Sequence, residues 1–227
     1  MIMAKGFFVT GTDTEIGKTT TTVALMRAAK QLGYRVAGMK PVAAGCQPTA
    51  QGLRNDDAVK LMQEASVTIE YERVNPLAYQ PSIAPHIAAA QSGEPIIIDS
   101  IISAYQHIAS QAEVVFVEGI GGWAVPINDN QTMADVAKAL GLPVILVVGI
   151  RLGCLNHALL THESIVHKGC PLGGWVANRL ESNNPVAEQN INYLQQALPI
   201  PFLGTIPYVL SNDARATTSL TITSLLS

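Results

Sequence analysis

The chain has 227 residues, a length that fits one α/β domain, and its 48% of hydrophobic against 14% of charged residues argues against disorder. A net charge of -3 gives no broad positive field, so we expect neither nucleic acid nor a membrane surface as a partner. No apolar stretch reaches the length of a bilayer span, and three cysteines without CxxC spacing argue against a disulfide framework or a zinc site, so we expect a soluble, cytoplasmic protein with reduced thiols.

Short apolar runs alternate with helical patterns along the chain. The predicted strands are residues 6–10, 36–40, 114–118, 144–148, 173–178 and 202–206. The predicted helices are residues 18–32, 56–65, 84–92, 99–109, 133–140, 155–168 and 186–197. Nearly continuous apolar strands suit a sheet buried on both faces, so we predict an α/β fold, a doubly wound, mostly parallel sheet with helices on both faces, forming a single domain over residues 1–227. Residues 41–54 are predicted to be a mobile loop.

The N-terminal run, MIMAKGFFVTG, leads directly into a glycine-rich turn and has no small-residue cleavage site, so we expect a first strand rather than a secretion signal. The turn, GTDTEIGKT, runs from Gly11 to Thr19 and is followed by a helix. Such a turn surrounds phosphates with backbone N–H groups, brings Lys18 to the outer phosphates and the Thr19 hydroxyl to Mg²⁺. Five residues separate Gly11 from Gly17, one more than in GxxxxGK[ST]. The alternative is an ordinary turn with a solvated lysine, but the position between strand and helix favours phosphate binding.

Three charged residues lie where predicted strands end or helices begin. Lys40 ends the second predicted strand, in VAGMKPVAAG, and is either catalytic or simply solvated. Asp57 opens a predicted helix, in LRNDDAVKL, where it could bind a metal or serve as a helix cap. Glu118 ends the run VVFVEG before a glycine-rich turn, and its carboxylate could ligate Mg²⁺ or belong to an ordinary loop. Ligands of such sheets bind at the carboxyl ends of the strands.

A further candidate begins at Arg151, in RLGCLNHALL, where a glycine precedes Asn156 at a predicted helix start. Free N–H groups there could bind a carboxylate, or the helix could simply be capped. None of the five histidines has the spacing of a metal site, and the sequence assigns no nucleophile.

The chain resembles the dethiobiotin synthetase family in seven stretches that follow one another from the first strand past residue 208: FVTGTDTEIGKT, GMKPVAAG, GLRNDDA, VFVEGIGGWAVP, LPVILVVGIRLGCLNHALLT, GGWVANR and LGTIPY. The long phosphate loop with Thr14 and Glu15 is itself characteristic of that family. The resemblance implies a P-loop NTPase-like fold and a ligase of biotin biosynthesis. Such an enzyme closes the ureido ring of dethiobiotin on 7,8-diaminononanoate with CO2 and ATP, through a carbamate and a carbamic-phosphoric anhydride.

The resemblance also implies a set of site residues. Lys40 and Lys18 would be catalytic, and Thr19, Asp57 and Glu118 would ligate Mg²⁺. The implied ATP-binding residues are Glu15, Ile16, Gly17, Lys18, Thr19, Thr20, Asp57, Glu118, Gly119, Ile120, Gly121, Asn178, Arg179, Pro207, Tyr208 and Val209. The implied substrate-binding residues are Thr14, Lys40, Ala44 and Gly121 and, acting in the partner's site across a homodimer interface, Leu152, Gly153, Cys154 and Asn156. Ala44 stands where the family pattern leads us to expect a serine, and the tail from Asn212 matches less clearly.

Two rival interpretations share the expected fold. A ParA/MinD-like switch ATPase would carry a lysine at the position of Asp13, in a KGGxGK[ST] pattern, and its absence counts against that class. An amidoligase related to cobyrinic acid diamide synthases would need an attached glutaminase domain, for which 227 residues leave no room, although stand-alone forms that use ammonia stay open.

Overall fold

The computed structural model describes residues 4–208 and 220–226. Its strands are β1 (Lys5–Gly11), β2 (Val36–Met39), β3 (Val42–Ala43), β4 (Gln47–Thr49), β5 (Gly52–Arg54), β6 (Leu77–Ala78), β7 (Val114–Glu118), β8 (Val144–Ile150), β9 (Leu172–Arg179) and β10 (Phe202–Ile206). Its helices are α1 (Lys18–Gln31), α2 (Asp56–Glu64), α3 (Tyr71–Val74), α4 (Pro85–Ser92), α5 (Ile98–Ala109), α6 (Met133–Leu140), α7 (Cys154–His167), α8 (Ala187–Ala197) and α9 (Thr223–Leu226). Within these described parts, no helix is both long and apolar enough to cross a membrane.

The central sheet has the strand order β10-β9-β8-β1-β7-β2, and all of its neighbouring strands run parallel. β7 therefore lies between β1 and β2, with Val9 in register with Glu118 and Met39 in register with Val117. Since parallel strands end at the same edge, this order brings the phosphate loop after β1, Glu118 at the end of β7 and Lys40 after β2 together.

Both faces of the sheet are covered, as the apolar strands predict. Successive residues of β1 point to opposite faces, so Phe8 packs in one hydrophobic cluster while Phe7 and Val9 pack in the other. The first cluster includes Ile101 and Ile165 from α5 and α7, whereas α1 belongs to the second. The predicted doubly wound parallel sheet is confirmed, and the single domain over residues 1–227 stays a prediction.

The predicted loop at residues 41–54 is wrong, because this segment contains β3, β4 and β5. β3 pairs in parallel with β6, and β4 and β5 form an antiparallel hairpin. The hairpin turn is closed by the Thr49 hydroxyl, which donates to the Gly52 carbonyl at 2.7 Å, and Gly52 has φ of +100°. All three residues of β4 are exposed, so no apolar alternation marks this strand in the sequence.

Candidate active site

The phosphate loop leaves the first N–H groups of α1 without a side-chain cap. Gly17 is the N-cap residue, with φ of +81°, and no side chain in the described part of the chain hydrogen-bonds to this helix start as a cap. Glu15, at φ of +57°, is the only non-glycine residue with positive φ among residues 4–208 and 220–226. Asn178 holds the loop by donating to the Ile16 carbonyl at 2.8 Å. A helix start whose N–H groups have no side-chain cap, preceded by a loop fixed in a strained conformation, has the geometry of an anion-binding site.

Lys18 is buried at the start of α1, where 7% of the residue is exposed. Its Nζ donates to the Asp13 carbonyl at 3.0 Å, and the Asp13 carboxylate is itself paired with Arg151. Burial and the nearby charge of Lys40 lower the pKa of Lys18 to about 8. The Lys18 ammonium is therefore poorly compensated, and an anion at the loop would favour its charged form.

Lys40 lies between two carboxylates. Its Nζ is 2.6 Å from Glu118 Oε1 and 3.2 Å from Asp57 Oδ2, and it also donates to the Gly119 carbonyl at 3.4 Å. Burial opposes the charged form of Lys40, but the charges of Glu118 and Asp57 outweigh it and raise the pKa of Lys40. For Asp57, burial likewise opposes the charge, and Lys40 overcomes it and lowers the pKa of that carboxyl. Lys40 is thus a buried ammonium neutralised by an acidic pair.

The same carboxylates offer oxygen donors for a divalent cation. Glu118 is completely buried; its Oε1 also accepts from the Thr19 hydroxyl at 2.8 Å, and its Oε2 has no hydrogen-bond partner among residues 4–208 and 220–226. Three or more His, Cys, Asp or Glu side chains do not come together as a metal-binding group in the described part of the chain, so this site offers two carboxylates and one hydroxyl. The orphaned oxygen, the hydroxyl and Asp57 are a donor set that fits Mg²⁺, which takes one or two carboxylates and completes its shell with phosphates.

Turn residues after β7 approach the phosphate loop. Gly121 has φ of +61°, and a Cβ added there would lie 3.5 Å from the Thr14 hydroxyl. A Cβ at Gly122 would lie 3.6 Å from the Gly11 carbonyl. Thr14, Glu15 and Thr20 are exposed, and Ile120 is partly exposed. Gly121 and Gly122 thus lie close to the phosphate loop. We call Lys18, Lys40, Asp57 and Glu118 the lysine–carboxylate cluster.

The residues expected near the adenine follow β9 and β10. Asn178 and Arg179 end β9, Ile206 is in register with Asn178, and Arg179 pairs with Glu188. Pro207 and Tyr208 directly follow β10, so they lie at the same edge of the sheet as the ends of the other parallel strands. Both residues are exposed. Val209 and the tail from Asn212 to Ser219 lie outside the described residues.

Other predicted substrate residues are not joined to the lysine–carboxylate cluster by any described hydrogen bond or ion pair. Ala44 follows β3 and is partly exposed. Gly153 is the N-cap residue of α7, Leu152 is 100% exposed, and Cys154 is buried. Asn156 is exposed in the first turn of α7. Leu152 lines a cavity of about 240 Å³ with Glu181, residues 183–186 and Asn190 of α8. A second cavity of about 260 Å³ lies beside β2, and neither cavity includes the lysine–carboxylate cluster.

Sequence reasoning missed three side chains that support the cluster. Arg151 pairs with Asp13 in the phosphate loop, and Asn75 and Tyr71 form hydrogen bonds behind Lys40. Arg151 has a detectable signal, since it follows β8 at the same sheet edge as the loop. The stretch that contains Tyr71 and Asn75, IEYERVNPLAY, matches no motif, so only the tertiary structure places them.

Comparisons with known proteins agree with this geometry. A family model described as an AAA domain matches residues 5–215. A protein of Cellvibrio japonicus, called ATP-dependent dethiobiotin synthetase, is 48% identical over 98% of both chains. A protein of the same name from Pseudomonas aeruginosa strain UCBPP-PA14 is 50% identical over 88% of this chain and 89% of its own.

Among solved structures, a ParA family ATPase from Chlorobium tepidum TLS superimposes with a TM-score of 0.58. The alignment covers 99% of this chain and 97% of that chain, at 13% sequence identity, so this likeness concerns the P-loop α/β fold alone. The much higher identities over nearly full length separate the synthetases from that distant neighbour. The resemblance seen in the sequence is confirmed: the chain belongs to the family of ATP-dependent dethiobiotin synthetases.

Proposed function

We propose that this chain closes the ureido ring of dethiobiotin from 7,8-diaminononanoate, CO2 and ATP, releasing ADP and phosphate. The observation that carries the proposal is the lysine–carboxylate cluster, in which a phosphate loop and a buried Lys40 with its two acidic partners meet at one sheet edge. A P-loop ATPase needs the loop to bind the phosphates of ATP. A carbamate that attacks a phosphate brings two negative groups together, and a second fixed cation, here Lys40, would stabilise them.

Each half of the reaction uses groups present at this edge. One amine of the substrate takes up CO2 as a carbamate, whose oxygen attacks the γ-phosphate and displaces ADP. Lys18 and the free N–H groups of α1 are placed to stabilise negative charge on the phosphoryl oxygens. The second amine then attacks the carbonyl of the mixed anhydride, phosphate leaves, and the ring closes.

Lys40 is the residue that we place beside the carbamate and the γ-phosphate. It is buried, and its ion pairs with the two carboxylates raise its pKa and keep it charged. We assign Thr19, Asp57 and Glu118 as the residues that would hold Mg²⁺. When bound, that ion would supply positive charge to the phosphate oxygens, and Asp57 and Glu118 would then be shared between it and Lys40.

We further propose a homodimer with shared active sites in a reducing, cytoplasmic setting. Leu152 is fully exposed, and Leu160 and Val166 on α7 are 57% and 55% exposed, an apolar content that suits contact with a second copy. Residues 152–156 would then bind the carboxylate tail of the substrate in the partner's site, while Thr14, Ala44 and Gly121 contact it from this chain. The three cysteines are free and buried, which suits a reducing compartment.

The switch ATPase is the weaker candidate. Asp13 stands where that class carries its lysine, and its side chain is engaged by Arg151. The likeness to the ParA structure extends only to the fold.

The decisive experiment measures phosphate release from Mg-ATP and bicarbonate, with and without 7,8-diaminononanoate, and determines the mass of the organic product. We expect release to depend on the diamine and the product to gain one carbonyl. Reactions without bicarbonate are the control. Phosphate release that is indifferent to the diamine would overturn the synthetase and favour the switch ATPase.

A further inference from the structure

A chain of hydrogen bonds, buried at Asn75 and partly buried at Asn55, connects the backbone of Lys40 with the backbone of Asp57. Asn75 Nδ2 donates to the Lys40 carbonyl at 2.7 Å, and the Tyr71 hydroxyl donates to Asn75 Oδ1 at 2.9 Å. The same hydroxyl accepts from the Asn55 N–H at 2.7 Å, and Asn55 Oδ1 accepts from the Asp57 N–H at 3.1 Å. Because Lys40 Nζ also contacts Asp57 Oδ2, the bonds close into a ring.

The ring is anchored by the single helical turn of α3. Tyr71 and Asn75 are four residues apart and therefore share one face of this turn, and the N–H of Lys40 donates to the Val74 carbonyl at 2.8 Å. Both backbone polar groups of Lys40 are thus held by the end of α3. The Arg54 guanidinium covers the Tyr71 ring at 4.0 Å from its centroid and fixes the ring from outside.

Burial makes this arrangement rigid. Asn75 is 3% exposed and Tyr71 is 8% exposed, so their polar atoms have little access to water that could replace a lost partner. A buried network with every member bonded holds its members in one arrangement, whereas removal of one member leaves the others unsatisfied. Within the ring, only the side chains of Lys40 and Asp57 reach the site.

We infer that Asn75 and Tyr71 are positioning residues, which fix the backbones of Lys40 and Asp57 relative to each other. The inference rests on the proposed function, in which Asp57 and Glu118 would hold a metal ion and Lys40 would face the phosphate. Both roles need the two side chains to start from backbones held at a fixed separation. A merely structural role would instead change the fraction of folded protein and leave the properties of each folded molecule unchanged.

Tyr71→Phe tests the inference because it removes the shared hydroxyl and keeps the ring beneath Arg54. The matched control is Tyr79→Phe, since Tyr79 is 2% exposed and its hydroxyl donates to the Glu94 carbonyl at 2.9 Å, outside the ring. We expect Tyr71→Phe to weaken Mn²⁺ binding in the presence of ADP at least about fivefold and to lower kcat per folded molecule about tenfold. Tyr79→Phe should lower Tm comparably and leave the Mn²⁺ Kd and kcat within twofold.

The Mn²⁺ Kd is measured by paramagnetic resonance of free Mn²⁺, and the folded fraction by thermal unfolding. Equal Mn²⁺ affinities in Tyr71→Phe and Tyr79→Phe would overturn the inference. Asn75→Ala should weaken Mn²⁺ binding as much as Tyr71→Phe does. The variant with both substitutions should bind Mn²⁺ no more weakly than the weaker of the two single variants, because both residues belong to one chain of hydrogen bonds. Should Asn75→Ala not fold, Tyr71→Phe still decides. The metal readout needs no turnover, so it stands even if the wild-type protein forms no ring product.

Discussion

Helices α1 and α6 both follow strands of the central sheet, yet they begin in opposite ways. The start of α6 satisfies its own polar groups: Thr132 and Asp135 form a reciprocal capping box, and Lys168 donates to Asp135 at 2.7 Å. At the start of α1, the N-cap residue Gly17 has no side-chain cap, and the one partner of the Lys18 ammonium among the described residues is the Asp13 carbonyl. A self-satisfied helix start stabilises the fold, whereas an unsatisfied one leaves its donors available to a ligand.

The two helix starts also differ in how their charged groups are paired. At α6 the carboxylate and the ammonium pair with each other across two elements. In the lysine–carboxylate cluster, Lys40 neutralises Asp57 and Glu118, while Lys18 carries a pKa lowered to about 8 by burial and by the Lys40 charge. Substitutions at this cluster should therefore change ligand binding and turnover more than folding, and substitutions at α6 should do the reverse.

Lys40→Ala should give the largest effect, a fall in kcat/KM of at least about a hundredfold with ATP binding retained. The reason is that one buried cation is lost from the site where negative charge develops, and such donors contribute about 2.7–4 kcal/mol to the transition state. Phosphate release driven by the diamine and equilibrium ATP binding are the measurements. The matched control, Lys168→Ala, removes the ammonium paired with Asp135 and should keep kcat/KM unchanged. Near-normal turnover of Lys40→Ala would remove Lys40 from the mechanism.

Glu118→Gln should raise the Mg²⁺ concentration for half-maximal activity at least about tenfold, because an amide is a poorer ligand than a carboxylate. A titration of activity with Mg²⁺ at fixed ATP measures the effect. Glu64→Gln is the control, since Glu64 is also a largely buried acid with two cationic partners, Arg27 and Lys30. If both variants shift the titration equally, Glu118 is not a metal ligand.

The sequence predicts what depends on local pattern and fails where contacts join distant segments. The bounds of α1 and α6 agree with the prediction within one residue, because each helix start has its own chemical signal: a glycine turn with Lys18, and Thr132 with Asp135. Glu118 could be placed at the sheet edge, since its strand is a continuous apolar run. The Asn75–Lys40 bond could not be predicted, because it depends on how α3 packs beside β2, and nothing in the sequence marks that packing.

Gly17→Ala should lower ATP affinity about fivefold to tenfold. A Cβ at Gly17 would lie 2.0 Å from Asn178 Nδ2, so the side chain that holds the Ile16 carbonyl must move, and φ of +81° adds strain. Gly141→Ala is matched for strain, since Gly141 ends α6 with φ of +66° but has open space around its Cβ position. ATP titrations of both variants, alongside thermal unfolding, separate the contact with Asn178 from backbone strain. Equal ATP affinities in the two variants would show that the Gly17 contact does not shape the loop.

Asp135→Asn should produce the smallest effect, a loss of about 1 kcal/mol of unfolding free energy at pH 7 with kcat/KM unchanged. Although partial burial opposes its charge, bonds from Lys168 and Thr132 hold the pKa of Asp135 below its ordinary value. A carboxyl with a lowered pKa in the folded state stabilises the protein above its unfolded pKa, and this stabilisation is lost as the pH falls through the folded value. Denaturant unfolding should therefore show the difference in unfolding free energy between wild type and variant at pH 7, and a smaller difference once the pH falls below the unfolded Asp pKa of about 3.9. Asp129→Asn, at an exposed turn residue, should show neither change. A gap that keeps its size in acid would mean that α6 depends on the shape of the Asp135 side chain rather than on its charge.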